Sequence, residues 1–262
     1  MSTYPWISLT TDYGLLDGFV AACHGVIARI APQVRVIDVT HQIPPADIRR
    51  GAAVLAQTVP HLPVAVHVAV VDPGVGTTRR AIAMRTPNGL LVGPDNGLLP
   101  WAADALGGCV EAVELTNPGW FPDVVSSTFH GRDVFAPAAA RLALGADLAG
   151  GGPFLDPAEP VRLPQPRVTA GPGWLAAEIL TVDRFGNVQL AATAAELPGS
   201  GRTLRVNGVP AARGATFGAV SPGGLVVLVD SAGKVAIAVN GGRAVDLLGV
   251  VPGEMLRITD PT

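Results

Sequence analysis

Residues 70 to 80 read Val-Val-Asp-Pro-Gly-Val-Gly-Thr-Thr-Arg-Arg, an apolar run that ends in a carboxylate and a turn and leads to two guanidinium groups. Two readings of Asp72 stay open. Asp-Pro-Gly is ordinary turn chemistry, and an acid directly after a buried strand is also where a site residue belongs. The glycines do not support a nucleotide site. GVGTTR lacks the third glycine of a dinucleotide fingerprint and the lysine of a phosphate-cradling loop, which sets aside nicotinamide enzymes and P-loop NTPases.

Other segments carry reactive groups. His130 lies in the polar loop STFHGRD, just before a helical stripe that starts at Val134 and Phe135. It is either a site residue or part of a loop in which Asp133 caps the helix. His24, His41, His61 and His67 show no metal-ligand spacing, and His24, beside the apolar stripe of a helix, reads as a satisfied structural imidazole. Asp12 and Asp17 in the first acid-rich loop, with Asp95 in GPDNG, could hold a divalent cation for a metal-dependent phosphohydrolase. DRFGN at 183–187 reads as a hairpin turn through Gly186-Asn187.

The elements that must position these groups follow from periodicity. WISLT (6–10) is a short apolar strand, and Phe19, Val20, Cys23, Val26, Ile27 and Ile30 fall on one helical stripe. VRVIDV (34–39) is a second strand. Ile48, Ala52, Leu55, Ala56 and Val59 mark a second helix, which Asp47 can cap, before the β-branched run VAVHVAVV (64–71). AIAMRT, LLV and VEAVEL continue the strands, and a helix beginning near Asp133 closes the domain. Such alternation predicts an α/β domain over 1–150, with a mostly parallel sheet between helices. Ligands of such sheets sit beyond the carboxyl ends of the strands, where Asp12 and Asp72 fall.

The proline- and glycine-rich stretch 151–173 reads as a linker. Beyond it, over 174–262, LAAEILTV, TLRVNG, LVVLVD, KVAIAVN and EMLRI alternate with turns and show no convincing helix, which predicts a small all-β domain. The formal charge of −3 argues against nucleic-acid or anionic-membrane partners. Two cysteines, Cys23 and Cys109, make neither a disulfide framework nor a zinc site. No apolar run reaches the roughly 18 residues of a membrane span, and MSTYPWISLTTDYG has no leader-like pattern, so a cytoplasmic location is expected.

Taken in order, TTDYG, DVTHQIPPADIRRGA, VVDPGVGTTRR, GPDNG, STFHGRDVFAP, VDRFGN and IAVNGG span nearly the whole chain. They resemble the S-adenosylmethionine hydroxide adenosyltransferases, relatives of the S-adenosylmethionine-dependent fluorinase and chlorinase. The resemblance implies a C-terminal domain that is a β-barrel, and a homotrimer with sites between the large domain of one subunit and the small domain of the next. It also implies hydrolysis of S-adenosylmethionine to adenosine and L-methionine by attack of water at the 5′ carbon, on the natural sulfonium or its (R) epimer. Asp72, Arg79 and His130 fall on the family's water-holding set.

On the same basis Asp12 would accept hydrogen bonds from the ribose hydroxyls, and Phe129 and Gly131 would contact substrate beside His130. Asp183 would meet the methionine ammonium and Phe185 and Asn187 the adenine, with Ser231, Val239 and Asn240 completing that wall. S-adenosylmethionine would be the substrate and no cofactor or metal would be needed, because neither a phosphoryl nor a carbonyl group has to be polarised. The halogenating relatives carry tyrosine in place of Asp72 and lack His130, and a carboxylate there would repel a halide. Two features depart from the family: no aromatic residue follows Ser231 closely, and Arg243 stands where a smaller polar residue is usual. A phosphohydrolase, and a module that binds the nucleoside without turnover, remain the alternatives.

Overall fold

The computed structural model describes residues 4–199 and 201–261, which form two compact units that divide between Leu163 and Pro164. The first unit is built as the periodicity predicts. Strand β1 (Trp6–Thr11), helix α1 (Phe19–Ile30), β2 (Arg35–Thr40), helix α2 (Ile48–Thr58) and β3 (Val66–Val70) form two parallel crossovers. Then come β4 (Ala81–Thr86), β5 (Gly89–Pro94), α3 (Pro100–Ala105), β6 (Glu111–Glu114), α4 (Ala136–Ala143) and the short β7 (Phe154–Leu155). The sheet order is β2-β1-β3-β5-β4-β6-β7. The neighbours from β2 to β5 pair in parallel, and the pairings of β4 with β5, β4 with β6 and β6 with β7 are antiparallel, so only β4 and β7 run against the rest.

Strand β3 shows why helices cover both faces. All five of its residues are buried, and successive side chains of a strand point to opposite faces. Val66, Val68 and Val70 join Cys23 and Ile27 of α1 and the alanine-rich face of α4 in one core. Ala69 and the following Val71 join Ala52 and Leu55 of α2 and Ala102 and Ala103 of α3 in the other. Each large side chain fully buried this way contributes roughly 1.5–3 kcal/mol. Helix α2 starts where its cap predicts: Asp47 accepts from the Arg50 amide at 2.9 Å.

The order β2-β1-β3 means that the chain leaves β1 to one side and returns on the other, which opens a crevice at the carboxyl ends of β1 and β3. Thr11 is in register with Val70, so Asp12 and Asp72 emerge beside each other there. The helix expected to begin near Asp133 instead opens as a π turn, Gly131–Phe135, and Asp133 is not its cap. Its carboxylate accepts from the Ser126 amide at 2.9 Å and pairs with Arg132, which braces the loop ahead of His130.

The second unit closes on itself. Strands β9 (Trp174–Val182), β10 (Val188–Thr193), β11 (Thr203–Val206), β12 (Val209–Arg213), β13 (Leu225–Val229), β14 (Lys234–Val239) and β15 (Met255–Thr259) run in the order β9-β10-β14-β13-β12-β11-β15, and β15 pairs back to β9. That is a seven-stranded barrel, with β8 (Val168–Gly171) added outside β9. Closure leaves no open edge among the seven. Alternate residues point inward, as the burial of β10 and β11 shows, around a core that includes Leu175, Ile179, Leu190 and Ile237. One expectation is corrected: this unit does contain a helix, α5 (Ala244–Leu248).

The stretch 151–173 contributes β7 to the first sheet and β8 to the second. Between them, Val161 donates its amide to Asp95 and Glu159 pairs with Arg80, which fastens this part of the chain to the first unit. Among the described residues no helix is long and apolar enough to cross a membrane.

Candidate active site

The turn after β3 folds Arg79 back onto Asp72. The Val75 amide donates to the Asp72 carbonyl, and both the amide and the hydroxyl of Thr77 donate to the Gly74 carbonyl. The guanidinium then meets the carboxylate face on: Nε stands 2.9 and 3.1 Å from the two carboxylate oxygens and Nη2 donates to Oδ2. Both side chains are nearly enclosed, at 5% exposure for Asp72 and 11% for Arg79. Phe135, fully buried, supports the guanidinium from behind with its ring 5.2 Å away. Arg80 turns elsewhere, to Asp95 and Glu159, so the two adjacent arginines serve different partners.

Arg79 Nη2 also reaches His130 Nδ1, at 2.9 Å. A guanidinium can only donate, so Nδ1 accepts, and the neutral imidazole carries its hydrogen on Nε2. Burial, and then the charge of Arg79, hold the His130 pKa below its ordinary value, against the opposing pull of Asp72 and Asp133. The ring is therefore neutral at neutral pH. One fixed cation thus bridges a carboxylate with acceptor capacity to spare and an imidazole with one N–H to donate.

Asp72 and His130 line a cavity of about 270 Å³, together with Asp12, Tyr13, Ala46 and Gly131. Arg79 stands behind them. Asp12, at the end of β1, accepts from the Ala46 amide at 2.9 Å. Two glycines let the loops approach this closely. Gly76 has a positive φ of 77°, and a Cβ there would lie 2.2 Å from the Ser127 carbonyl oxygen, in the loop leading to His130. A Cβ on Gly131 would lie 2.0 Å from the Tyr13 hydroxyl.

Tyr13, which lines the cavity, belongs to an aromatic cluster whose other two rings do not line it. Tyr13, Phe19 and Phe129 pack mutually, with centroids 5.2 to 6.0 Å apart. Burial, with nearby negative charge, pushes the Tyr13 phenol far above its ordinary range, so it stays protonated. Tyr13 and Ala46 were not picked out by sequence reasoning. The signal for Tyr13 is its place next to Asp12 at a strand end, whereas Ala46 enters through a left-handed backbone (φ 63°) that its identity does not announce.

The three acids of the phosphohydrolase reading do not come together as a possible metal site among the described residues. Asp95 is buried, paired with Arg80 and bonded to the Val161 amide. In the second unit, Asp183 closes the β9–β10 hairpin by accepting from the amides of Phe185 and Asn187 and from the Asn187 side chain, at 2.7 to 2.9 Å. Phe185 projects from this turn with 73% of its surface exposed. Arg243 donates to the Arg184 carbonyl at 2.9 Å and so braces the same hairpin. Val188 is in register with Ile237, so the hairpin lies at the end of β14 that carries Val239 and Asn240. Ser231 is in the turn that precedes β14, at its other end.

Residues 7–152 match the model of the SAM hydroxide adenosyltransferase N-terminal domain, and residues 177–257 that of the C-terminal domain. The chain is 68% identical over 259 residues, 99% of each chain, to the (R)-S-adenosyl-L-methionine hydrolase of Salinispora arenicola (strain CNS-205). A fluorinase of Actinoplanes sp. (strain N902-109) is 29% identical over 210 residues, 70% of each chain. The crystal structure of an uncharacterized conserved protein from Thermotoga maritima superposes with a TM-score of 0.90 at 35% identity, covering 97% of this chain and 100% of that one. The chain therefore belongs to the S-adenosylmethionine hydroxide adenosyltransferase family.

Proposed function

We propose that the protein hydrolyses S-adenosylmethionine to adenosine and L-methionine and that the (R)-sulfonium epimer is its substrate. The observation that carries this reading is the bridge from Asp72 through Arg79 to His130 at the cavity. The epimer follows the printed name of the relative at 68% identity.

In the proposed reaction the water oxygen forms a bond to the 5′ carbon while the carbon–sulfur bond breaks. Its electron pair goes to sulfur, which leaves as a neutral thioether and needs no general acid. The His130 Nε2–H holds the water oxygen. Its Nδ1 is occupied by Arg79, so the proton passes to the Asp72 carboxylate. As the new bond forms, the attacking oxygen turns strongly acidic, so a carboxylate is base enough. Arg79 fixes the geometry of both partners. No cofactor or metal takes part.

Asp12 accepts from the ribose hydroxyls, an arrangement that suits an ionised acceptor facing two donors. Phe129 and Gly131 border the sugar. We also read the protein as a cytoplasmic homotrimer in which Asp183, Phe185, Asn187, Ser231, Val239 and Asn240 of a neighbouring copy receive the adenine and the methionine. The exposure of the Phe185 ring supports that reading. The test is to incubate the purified protein with each sulfonium epimer separately in the presence of EDTA. Adenosine and methionine released in equal amounts, faster from the (R) epimer, are expected. No release from either epimer overturns the proposal.

A further inference from the structure

His24 on α1, Asp38 on β2 and His41 in the turn after β2 converge, although nothing in their spacing marks them as a set. Their ligand atoms all lie within 4.8 Å of one another, the only such histidine, cysteine or acid cluster among the described residues. His24 Nε2 is 2.9 Å from Asp38 Oδ1, and His41 Nε2 is 3.0 Å from the same oxygen. His41 is 4% exposed, and its Nε2, despite that proximity, makes no hydrogen bond. That nitrogen faces the Asp38 carboxylate as an ion pair without a well-formed hydrogen bond, which leaves it available as a ligand atom. Its other nitrogen, Nδ1, is bonded to the Thr11 hydroxyl at 2.8 Å, the kind of outer contact that orients a metal-ligating histidine.

We propose that His24, Asp38 and His41 bind a divalent transition-metal ion of the zinc class, at a site separate from the Asp72–Arg79–His130 unit. Two imidazoles and a carboxylate suit zinc and its neighbours rather than magnesium or calcium. Bonds of about 2.0–2.2 Å place tetrahedral donors about 3.3–3.5 Å apart, so the present contacts need to open by only about 0.5 Å. His24 and Asp38 are part-exposed, at 35% and 43%, which gives the ion a way in and leaves a position for water. The ion would also stiffen one wall of the cavity. Thr11 Oγ1 accepts from the Tyr13 amide and the His41 carbonyl from the Gly14 amide, so fixing His41 restrains the segment that carries Asp12 and Tyr13.

The test is a calorimetric titration of the metal-stripped, full-length protein with Zn²⁺, alongside His24→Ala and Asp38→Asn, each first checked for a native circular dichroism spectrum. The expected result is one equivalent bound by the parent and at least tenfold weaker binding in both variants. The thermal midpoint should rise with zinc only in the parent, and the metal-free turnover of His24→Ala should be unchanged. No saturable binding by the parent, or equal binding by parent and variants, overturns the proposal.

Discussion

Arg79 donates to Nδ1 of His130 while gripping both oxygens of Asp72, so one guanidinium sets the tautomer of the imidazole and the orientation of the carboxylate. Lysine has a single charged nitrogen and cannot span both partners in this geometry. Arg79→Lys is expected to lower kcat by 100-fold or more and to leave adenosine affinity within about threefold, since the loss falls on the transition state. Because the three groups act together, Asp72→Asn and His130→Ala combined should cost little more than either alone. Steady-state kinetics with parallel adenosine binding check both statements, and a proportionate loss of binding and turnover counts against the assignment.

The neighbouring Arg80 supplies the contrast. It holds the buried Asp95 carboxylate and reaches Glu159, with no contact to Asp72 or His130. Arg80→Ala is expected to destabilise the protein by roughly 1–3 kcal/mol, because the buried Asp95 carboxylate loses one of its partners and keeps the Val161 amide, with kcat within about threefold of the parent. Denaturant unfolding and a turnover assay on the same preparation separate the two arginines. A collapse of kcat in a fully folded Arg80→Ala protein would show that the wrong arginine has been assigned.

Gly131→Ala tests the closeness of Tyr13. The added methyl group would meet the Tyr13 hydroxyl at 2.0 Å and the ring carbon bearing it at 3.0 Å. A cost of roughly 1–3 kcal/mol is expected from overpacking, with weakened adenosine binding. Tyr13→Phe in the same chain removes the nearer atom and should restore part of the stability. If the double variant is no more stable than Gly131→Ala, the clash lies elsewhere.

His67 gives a pH dependence that does not involve the site. It is wholly buried in β3 and bonded through Nδ1 to the Ser8 hydroxyl at 2.8 Å. Burial pushes its pKa down to about 4. Above the unfolded value near 6.5 the ring is neutral in both states and imposes no penalty. As pH falls below that value the unfolded chain takes up a proton that the folded chain refuses, so stability declines until the folded value is passed. Between pH 7.5 and 5 the expected loss from this group is about 2 kcal/mol. Denaturant unfolding at the two pH values should show that loss in the parent and a smaller one in His67→Gln. The same decline in both would assign the effect to other groups.

Much of this structure is legible in the sequence where local chemistry and tertiary structure agree. The β-branched run of β3, the stripe of α1 and the cap at Asp47 each follow from local sequence alone. Helix α3 leaves no clear signal because it spans only six residues and begins at a proline, and β8 leaves none because Val168–Gly171 has the composition of a loop. Asp72, Arg79 and His130 could be named from motifs, but their mutual contact rests on two unlike loops meeting at Gly76 and Ser127. His24, Asp38 and His41 meet only because α1 packs beside β2, a tertiary event that spacing does not encode.

The central claim is that water held at Asp72 and His130 attacks the adenosyl carbon, and turnover in ¹⁸O-enriched water tests it most directly. Adenosine carrying the label in its 5′ hydroxyl, with none in methionine, is the expected product. Adenosine formed without the label would contradict the claim.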